Sequence, residues 1–157
     1  MKDTAELFAS LDALKARLDA HRPLPPDVVS QIREDMRVRF TYHSNAIEGN
    51  TLTMSETKAV LEDGITIGGK SLREHLEAVG HSQAIDYLEV LAQGDAALTE
   101  RTLKDFHSLI LRNIDGANAG TYRRVNVLIS GAGHIPPQAE SVPEKMEAFF
   151  RWYGAAR

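Results

Sequence analysis

The sequence predicts a mainly α-helical domain with one small β-hairpin. Apolar residues recur at helical spacing along most of the 157 residues, and Ser/Thr-x-x-Glu boxes stand just ahead of apolar runs. The hairpin rests on a third pattern, the alternation of Val125, Val127 and Ile129 followed by Gly131, Gly133 and two prolines.

Each element follows in order. Leu7, Leu11, Leu14 and Leu18 form an apolar helical stripe, with Asp3 and Glu6 placed to cap its start. Pro23, Pro25 and Pro26 end that helix and begin the next. In the second helix Val29, Ile32, Met36 and Phe40 share a face, and the helix runs on towards His43. Glu48 then lies at or just past its end, where Gly49 can take the backbone that stops a helix. Three capping boxes punctuate the remainder: Thr53 with Glu56, Ser71 with Glu74, and Ser141 with Glu144. The second opens a helix expected to turn Leu72, Leu76, Val79, Ile85, Leu88 and Leu91 inward. Thr99 is expected to cap a helix that buries Leu103, Phe106 and Ile110. Residues 112–122, with Asn113, Asp115, Gly116, Asn118 and Gly120, read as a loop. Arg123 to Ser130 and the exit through Pro136 and Pro137 give the hairpin, its prolines suited to a sheet edge. A last helix carries Met146, Phe149, Phe150 and Tyr153 on one side.

Composition narrows the class. An apolar share of 43% and a charged share of 25% suit one globular domain. A formal charge of −4 gives no footprint for nucleic acid. Cysteine is absent, which fits a reducing compartment. No apolar run approaches the ~18–20 residues of a membrane span, so no membrane partner is expected. Met1 to Glu6 is too polar to open a signal peptide, and a cytoplasmic location is the expectation. The six histidines make neither His-x-His nor His-Glu-x-x-His, so no metal site is expected. Asp86, Asp95, Asp105 and Asp115 show no metal-loop pattern, and Gly64, Gly68 and Gly69 no phosphate loop. His107 reads as packed or half-exposed, and Trp152 as core or interface.

Five segments stand together in a telling order. They are Ser44-Asn45-Ala46-Ile47-Glu48-Gly49-Asn50, Asn50-Thr51-Leu52-Thr53-Met54-Ser55-Glu56, Gly69-Lys70-Ser71-Leu72-Arg73-Glu74, Gly120-Thr121-Tyr122-Arg123 and His134-Ile135-Pro136-Pro137. Over about residues 38–153 the chain resembles the N-terminal part of Fic (Fido) domain proteins of the subclass with an N-terminal inhibitory helix. The resemblance implies an all-α Fic-type fold with a small β-hairpin flap, here in truncated form. It divides the chain into N-terminal helices over 1–43, an inhibitory motif over 44–50, and the N-terminal part of a Fic domain over 51–157. The flap then falls at about 124–137.

In that family a glutamate at the place of Glu48 pairs with an arginine of the catalytic motif and fills the place of the ATP γ-phosphate. By resemblance, Ser44, Glu48, Gly49 and Asn50 make up the inhibitory motif, with Ser44 one turn earlier to orient the carboxylate. Val127, Leu128, Ile129 and Ser130 match the flap strand that touches nucleotide and target, and Tyr122 and Arg123 support it. An edge strand registers a peptide through backbone groups without reading its sequence. The family's catalytic signature, His-Pro-Phe-x-Asp/Glu-Gly-Asn-Gly-Arg, would lie beyond Arg157, so no catalytic residue is expected here. The implied parent activity is AMP transfer from ATP to protein Ser, Thr or Tyr hydroxyls, with ATP and Mg²⁺ as cofactors of the complete protein. The chain as it stands is expected to be inactive, and to expose an apolar groove that a second copy or the missing half would fill. Two other readings stay open: a non-catalytic regulator or interaction module that supplies Glu48 in trans, and AMP removal by the completed protein.

Overall fold

The computed structural model describes residues 3–94 and 97–156. Met1, Lys2 and Asp95, which entered the leader and metal-loop readings, lie outside the described residues. Six α-helices make up the described architecture: α1 (Thr4–Asp19), α2 (Pro26–Ile47), α3 (Met54–Glu62), α4 (Leu72–Ala92), α5 (Glu100–Leu111) and α6 (Val142–Ala155). A single 3-10 turn, Ala139–Ser141, precedes α6. The chain divides into two units, one up to Met36 and one from Arg37 onward, with the boundary inside α2.

The first unit holds α1 and the start of α2. Proline punctuation works as the sequence predicts, because α1 stops at Asp19 and α2 begins on Pro26. The Asp3–Glu6 cap does not close: Asp3 has the extended backbone of an N-cap but makes no side-chain bond. The leucine stripe is exposed, from 46% at Leu18 to 59% at Leu11, and α1 has no buried residue.

The second unit carries the core, in which α4 packs against both α3 and α5. Leu52, Val60 and Ala78 form its apolar centre, with Ile67 and Val79 packed around it. Two caps form as expected. Thr53 and Glu56 bond reciprocally, as do Ser71 and Glu74, and each pair satisfies backbone donors that a helix start leaves open. Thr99 caps α5 by accepting from the Thr102 N–H at 3.1 Å.

Which face each helix buries departs from the expectation. Because α4 is covered from two directions, its buried residues are the small or polar His75, Ala78, Gly80, Ser82 and Ala84. Leu72 and Leu88, expected inward, are exposed. Leu103 and Ile110 of α5 are each 37% exposed, and Thr102 is that helix's buried residue. On α2, Phe40 is exposed while Val38 and Thr41 are buried. Thr41 Oγ1 lies 3.1 Å from His81 Nδ1, Phe40 meets the same imidazole edge-on at 5.3 Å, and Arg37 pairs with Asp86 at 3.6 Å. Through these contacts the latter half of α2 is tied to α4, and burial lowers the His81 pKa.

The third expected cap fails for a local reason. Ser141 already has helical backbone angles, φ −88° and ψ −6°, so it lacks the extended conformation an N-cap needs. Its hydroxyl donates instead to Gln138 O at 2.9 Å.

The hairpin is also corrected. Among the described residues no strand is present, and residues 124–137 run as an irregular loop. Among the described residues its backbone–backbone bond is a turn, Ala132 N–H to Ile129 O at 3.2 Å. The returning limb explains the missing ladder, since Pro136 and Pro137 have no N–H to donate.

Candidate functional site

Glu48 ends α2 through a Schellman arrangement. Gly49 takes φ +92°, which a residue with a Cβ adopts only under strain. Its N–H donates to Ala46 O at 3.1 Å, and the Asn50 N–H reaches back to Asn45 O at 3.0 Å. Asn45 reinforces the last turn by donating Nδ2 to Thr41 O at 3.0 Å. Glu48 therefore stands at the C-cap, exposed. Among the described residues its carboxylate has no hydrogen bond or ion pair, and none joins it to Ser44 one turn earlier.

The next two residues are fastened to α4. Asn50 Nδ2 donates to Glu74 O at 3.0 Å and to Glu77 Oε2 at 3.1 Å, while its Oδ1 accepts from the Leu52 N–H at 3.0 Å. Glu74 is the hub. Its Oε1 accepts from Thr51 N–H at 2.8 Å and from the Thr51 hydroxyl at 2.6 Å. Its Oε2 accepts from Ser71 N–H at 2.8 Å and from the Ser71 hydroxyl at 2.9 Å. These donors, the Thr51 hydroxyl foremost, hold the Glu74 carboxyl down from 4.5 to about 2. Nearby, Lys70 donates to the Thr51 hydroxyl at 3.0 Å, and Arg73 pairs with Glu77 at 2.9 Å. Bonds from Thr53, its backbone N–H first, lower the Glu56 carboxyl too.

His75 closes the other side of this corner. Its Nε2 accepts from Ile67 N–H at 2.8 Å, which leaves Nδ1 to donate to Ser71 O at 2.7 Å. The imidazole is thus a buried structural group that holds the loop before α4. It stands apart from His81, which faces Thr41. Among the described residues, no group of three or more His, Asp or Glu is arranged to hold a metal ion.

The second candidate region begins at Tyr122 and Arg123. Arg123 Nη1 donates to Val125 O at 2.8 Å, and its Nη2 donates to Pro137 O. One guanidinium thus grips both ends of the 124–137 loop. Asn126 Oδ1 accepts from Ala139 N–H at 2.8 Å and secures the exit. Within the loop Val127 is 42% exposed, Leu128 84% and Ile129 53%, with Ser130 exposed beside them. Tyr122 lies under Lys104, whose Nζ is 4.3 Å from the ring centroid. Burial first, and then the Glu100 carboxylate beside it, push the Tyr122 hydroxyl up to about 12. No well-formed hydrogen bond reaches that hydroxyl, although Glu100 is close enough to act on it. Tyr122 and Arg123 also wall an apolar cavity of about 480 Å³, with Leu103, Leu111, Val142 and Met146 opposite.

Glu74 and Glu77 were missed by sequence reasoning as partners of residues 50–51. The box at Ser71 explains Glu74 fully at local range, so no spacing rule asks for a second use. The available hint was an Asn-Thr pair with three side-chain bonding groups directly after a helix stop.

No family model matches the chain. Among curated proteins, the protein adenylyltransferase Fic of Nematostella vectensis is 38% identical over 112 residues, 71% of this chain and 26% of that protein. The protein of the same name from Drosophila melanogaster is 31% identical over 160 residues, 95% of this chain and 31% of that protein. The chain therefore spans about a quarter to a third of the length of these relatives. Among solved structures, a Fic-domain-containing signalling protein from Bacteroides thetaiotaomicron matches with TM-score 0.81 and 27% identity, over 92% of this chain and 55% of that one. Fic-1 from C. elegans matches with TM-score 0.70 and 29% identity, over 96% of this chain and 46% of that one. No helix among the described residues is long and apolar enough to cross a membrane. The order of helices and the sequence likeness agree, and the chain holds part of a Fic domain.

Proposed function

We propose that this chain is the regulatory and target-docking portion of a protein that transfers AMP from ATP to Ser, Thr or Tyr hydroxyls of other proteins. Relatives that bear the name protein adenylyltransferase support the activity. The observation that carries the regulatory part is Glu48, presented on a Schellman-capped helix end with an exposed, unpartnered carboxylate among the described residues. A carboxylate so placed suits a bidentate pair with a guanidinium, and it competes with phosphate for the same fork of donors. In this reading the arginine lies outside residues 1–157, and the pair occupies the place of the ATP γ-phosphate. The nucleotide then cannot present its α-phosphate to the target hydroxyl.

Residues 124–137 take the docking role. Val127, Leu128, Ile129 and Ser130 offer backbone groups that an extended target can pair with, while Arg123 and Tyr122 hold the base of the loop. ATP and Mg²⁺ belong to the complete protein. In this reading the chain's own part is braking and docking. Residues 1–157 contain neither His-Pro-Phe nor Gly-Asn-Gly-Arg, and the chain by itself transfers no nucleotide.

The test is Glu48→Gly in the complete protein, read as self-labelling from ATP labelled at its α-phosphate. A strong rise is expected, because the arginine is released to the γ-phosphate. Equal labelling with and without the substitution refutes the inhibitory assignment.

A further inference from the structure

The residues that follow Glu48 and Gly49 make more polar contact than a connecting segment needs. Asn and Thr at a turn ordinarily satisfy their side chains on sequence neighbours. Here the Leu52 N–H is the one local partner of the Asn50 side chain, and its other contacts cross to α4. Thr51 gives both its N–H and its hydroxyl to a single oxygen of Glu74. The receiving helix is the one that packs between α3 and α5, so the end of α2 is referenced to the core of its unit.

We propose that Glu74 and Asn50 are positioning residues for Glu48: they fix the end of α2 on the first turns of α4, so that the Glu48 carboxylate is oriented before it meets its guanidinium. This rests on the inhibitory reading of Glu48. A carboxylate on a swinging helix end loses that freedom on pairing, and prior anchoring removes the loss. Glu74 has the chemistry for the task. An ionised carboxylate offers acceptors on both oxygens, one facing Thr51 and the other Ser71. A glutamine offers one acceptor oxygen and an NH₂, so Glu74→Gln can accept from the backbone N–H of Ser71 or of Thr51 and not from both. Asn50→Ala removes the neighbouring set of bonds without touching the α4 cap.

Two measurements separate this proposal from the reading beneath it. In the chain itself, Glu74→Gln and Asn50→Ala are expected to speed hydrogen exchange at the Gly49 and Asn50 amides roughly tenfold, with α5 amides unchanged. Unchanged exchange at Gly49 and Asn50 overturns the proposal, whatever Glu48 does. In the complete protein, each substitution is expected to raise labelling from α-labelled ATP by less than Glu48→Gly does, and to add nothing on top of Glu48→Gly. A merely structural weakening lowers labelling in both backgrounds, and that result overturns the proposal. So does an absence of any rise where Glu48→Gly itself rises. If Glu48→Gly raises nothing, the inhibitory reading has failed and the positioning role falls with it, while the exchange result still reports whether the anchor exists.

Discussion

Gly80 offers a sharp test of how the core of the second unit is built. It sits in α4 where that helix passes α5. A Cβ there would stand 2.9 Å from Ile110 O, 3.0 Å from Leu109 O and 3.2 Å from Ile110 Cα. All three are backbone atoms, so no change of rotamer relieves the clash and the helices must move apart. Two effects oppose each other in Gly80→Ala. Alanine in a helix interior gains about 0.5–1 kcal/mol over glycine. Overpacking typically costs about 1–3 kcal/mol. Separation also loosens the Tyr87–Phe106 ring pair, whose centroids lie 5.1 Å apart across the same two helices. Such a pair contributes about 0.5–1.5 kcal/mol. The steric side wins, with a net loss of about 1–3 kcal/mol. For a chain of this size that lowers the melting temperature by roughly 3–10 °C. Thermal unfolding followed by circular dichroism, in one buffer for both proteins, reads the shift. A melting temperature equal to or above that of the unmodified chain refutes the close-packing argument.

Other perturbations give results of opposite sign or different kind. Gly154, in α6, has open space where a Cβ would go, so Gly154→Ala is expected to stabilise by about 0.5–1 kcal/mol, and a lower melting temperature sinks that expectation. Burial lowers the His81 pKa, so the unfolded chain takes up this proton first as pH falls. Its contribution to stability is whole above 6.5 and is lost as pH drops below that value; urea midpoints at about pH 7.5 and about pH 5.5 should differ less in His81→Gln. Glu74, held at about 2 against 4.5, works on a more acid window: its contribution is whole above 4.5 and gone near 2, so the midpoints of Glu74→Gln and the unmodified chain should converge there. Arg123→Ala releases Val125 O and Pro137 O, and limited proteolysis within 124–137 should quicken while α4 and α5 stay intact.

What the sequence made legible was chemistry that acts over one turn. Thr53, Ser71 and Thr99 cap helices because the bond runs from a side chain to an N–H a few residues away. Gly49 stops α2 for the same local reason. Ser141 shows the limit of that logic, since an equally good pattern there met a residue whose backbone was already helical. Burial was less legible. A one-faced apolar stripe is the right expectation for a helix covered from one side, and it misplaced Leu72 and Leu88 on a helix covered from two. There the sequence placed Ala78, Gly80, Ser82 and Ala84 so that backbones could approach, and small residues leave no amphipathic signature. In the candidate site, the exposed Glu48 was readable from its motif. The bonds from residues 50–51 to Glu74 and Glu77 span 23 to 27 positions, beyond the reach of any local rule. The strand expected at 125–129 had the right alternation, yet the returning limb lacked donors to complete a ladder.

The guanidinium of Arg123 closes the 124–137 loop at its base and leaves the interior without a partner strand among the described residues. Closure and pairing are thereby separated, whereas a hairpin supplies both at once. With its ends held at a fixed span, the interior samples far fewer shapes than a free chain of equal length, so less entropy is lost when a second segment orders it. Apart from the Ala132–Ile129 turn, a strand laid against it would face no rival strand bonded to its N–H and C=O groups among the described residues. It would also meet no ladder that dictates register, and neighbouring alignments could compete on nearly equal terms. In the docking role proposed for it, such a surface would trade tightness for tolerance, accepting many extended segments briefly and holding none for long.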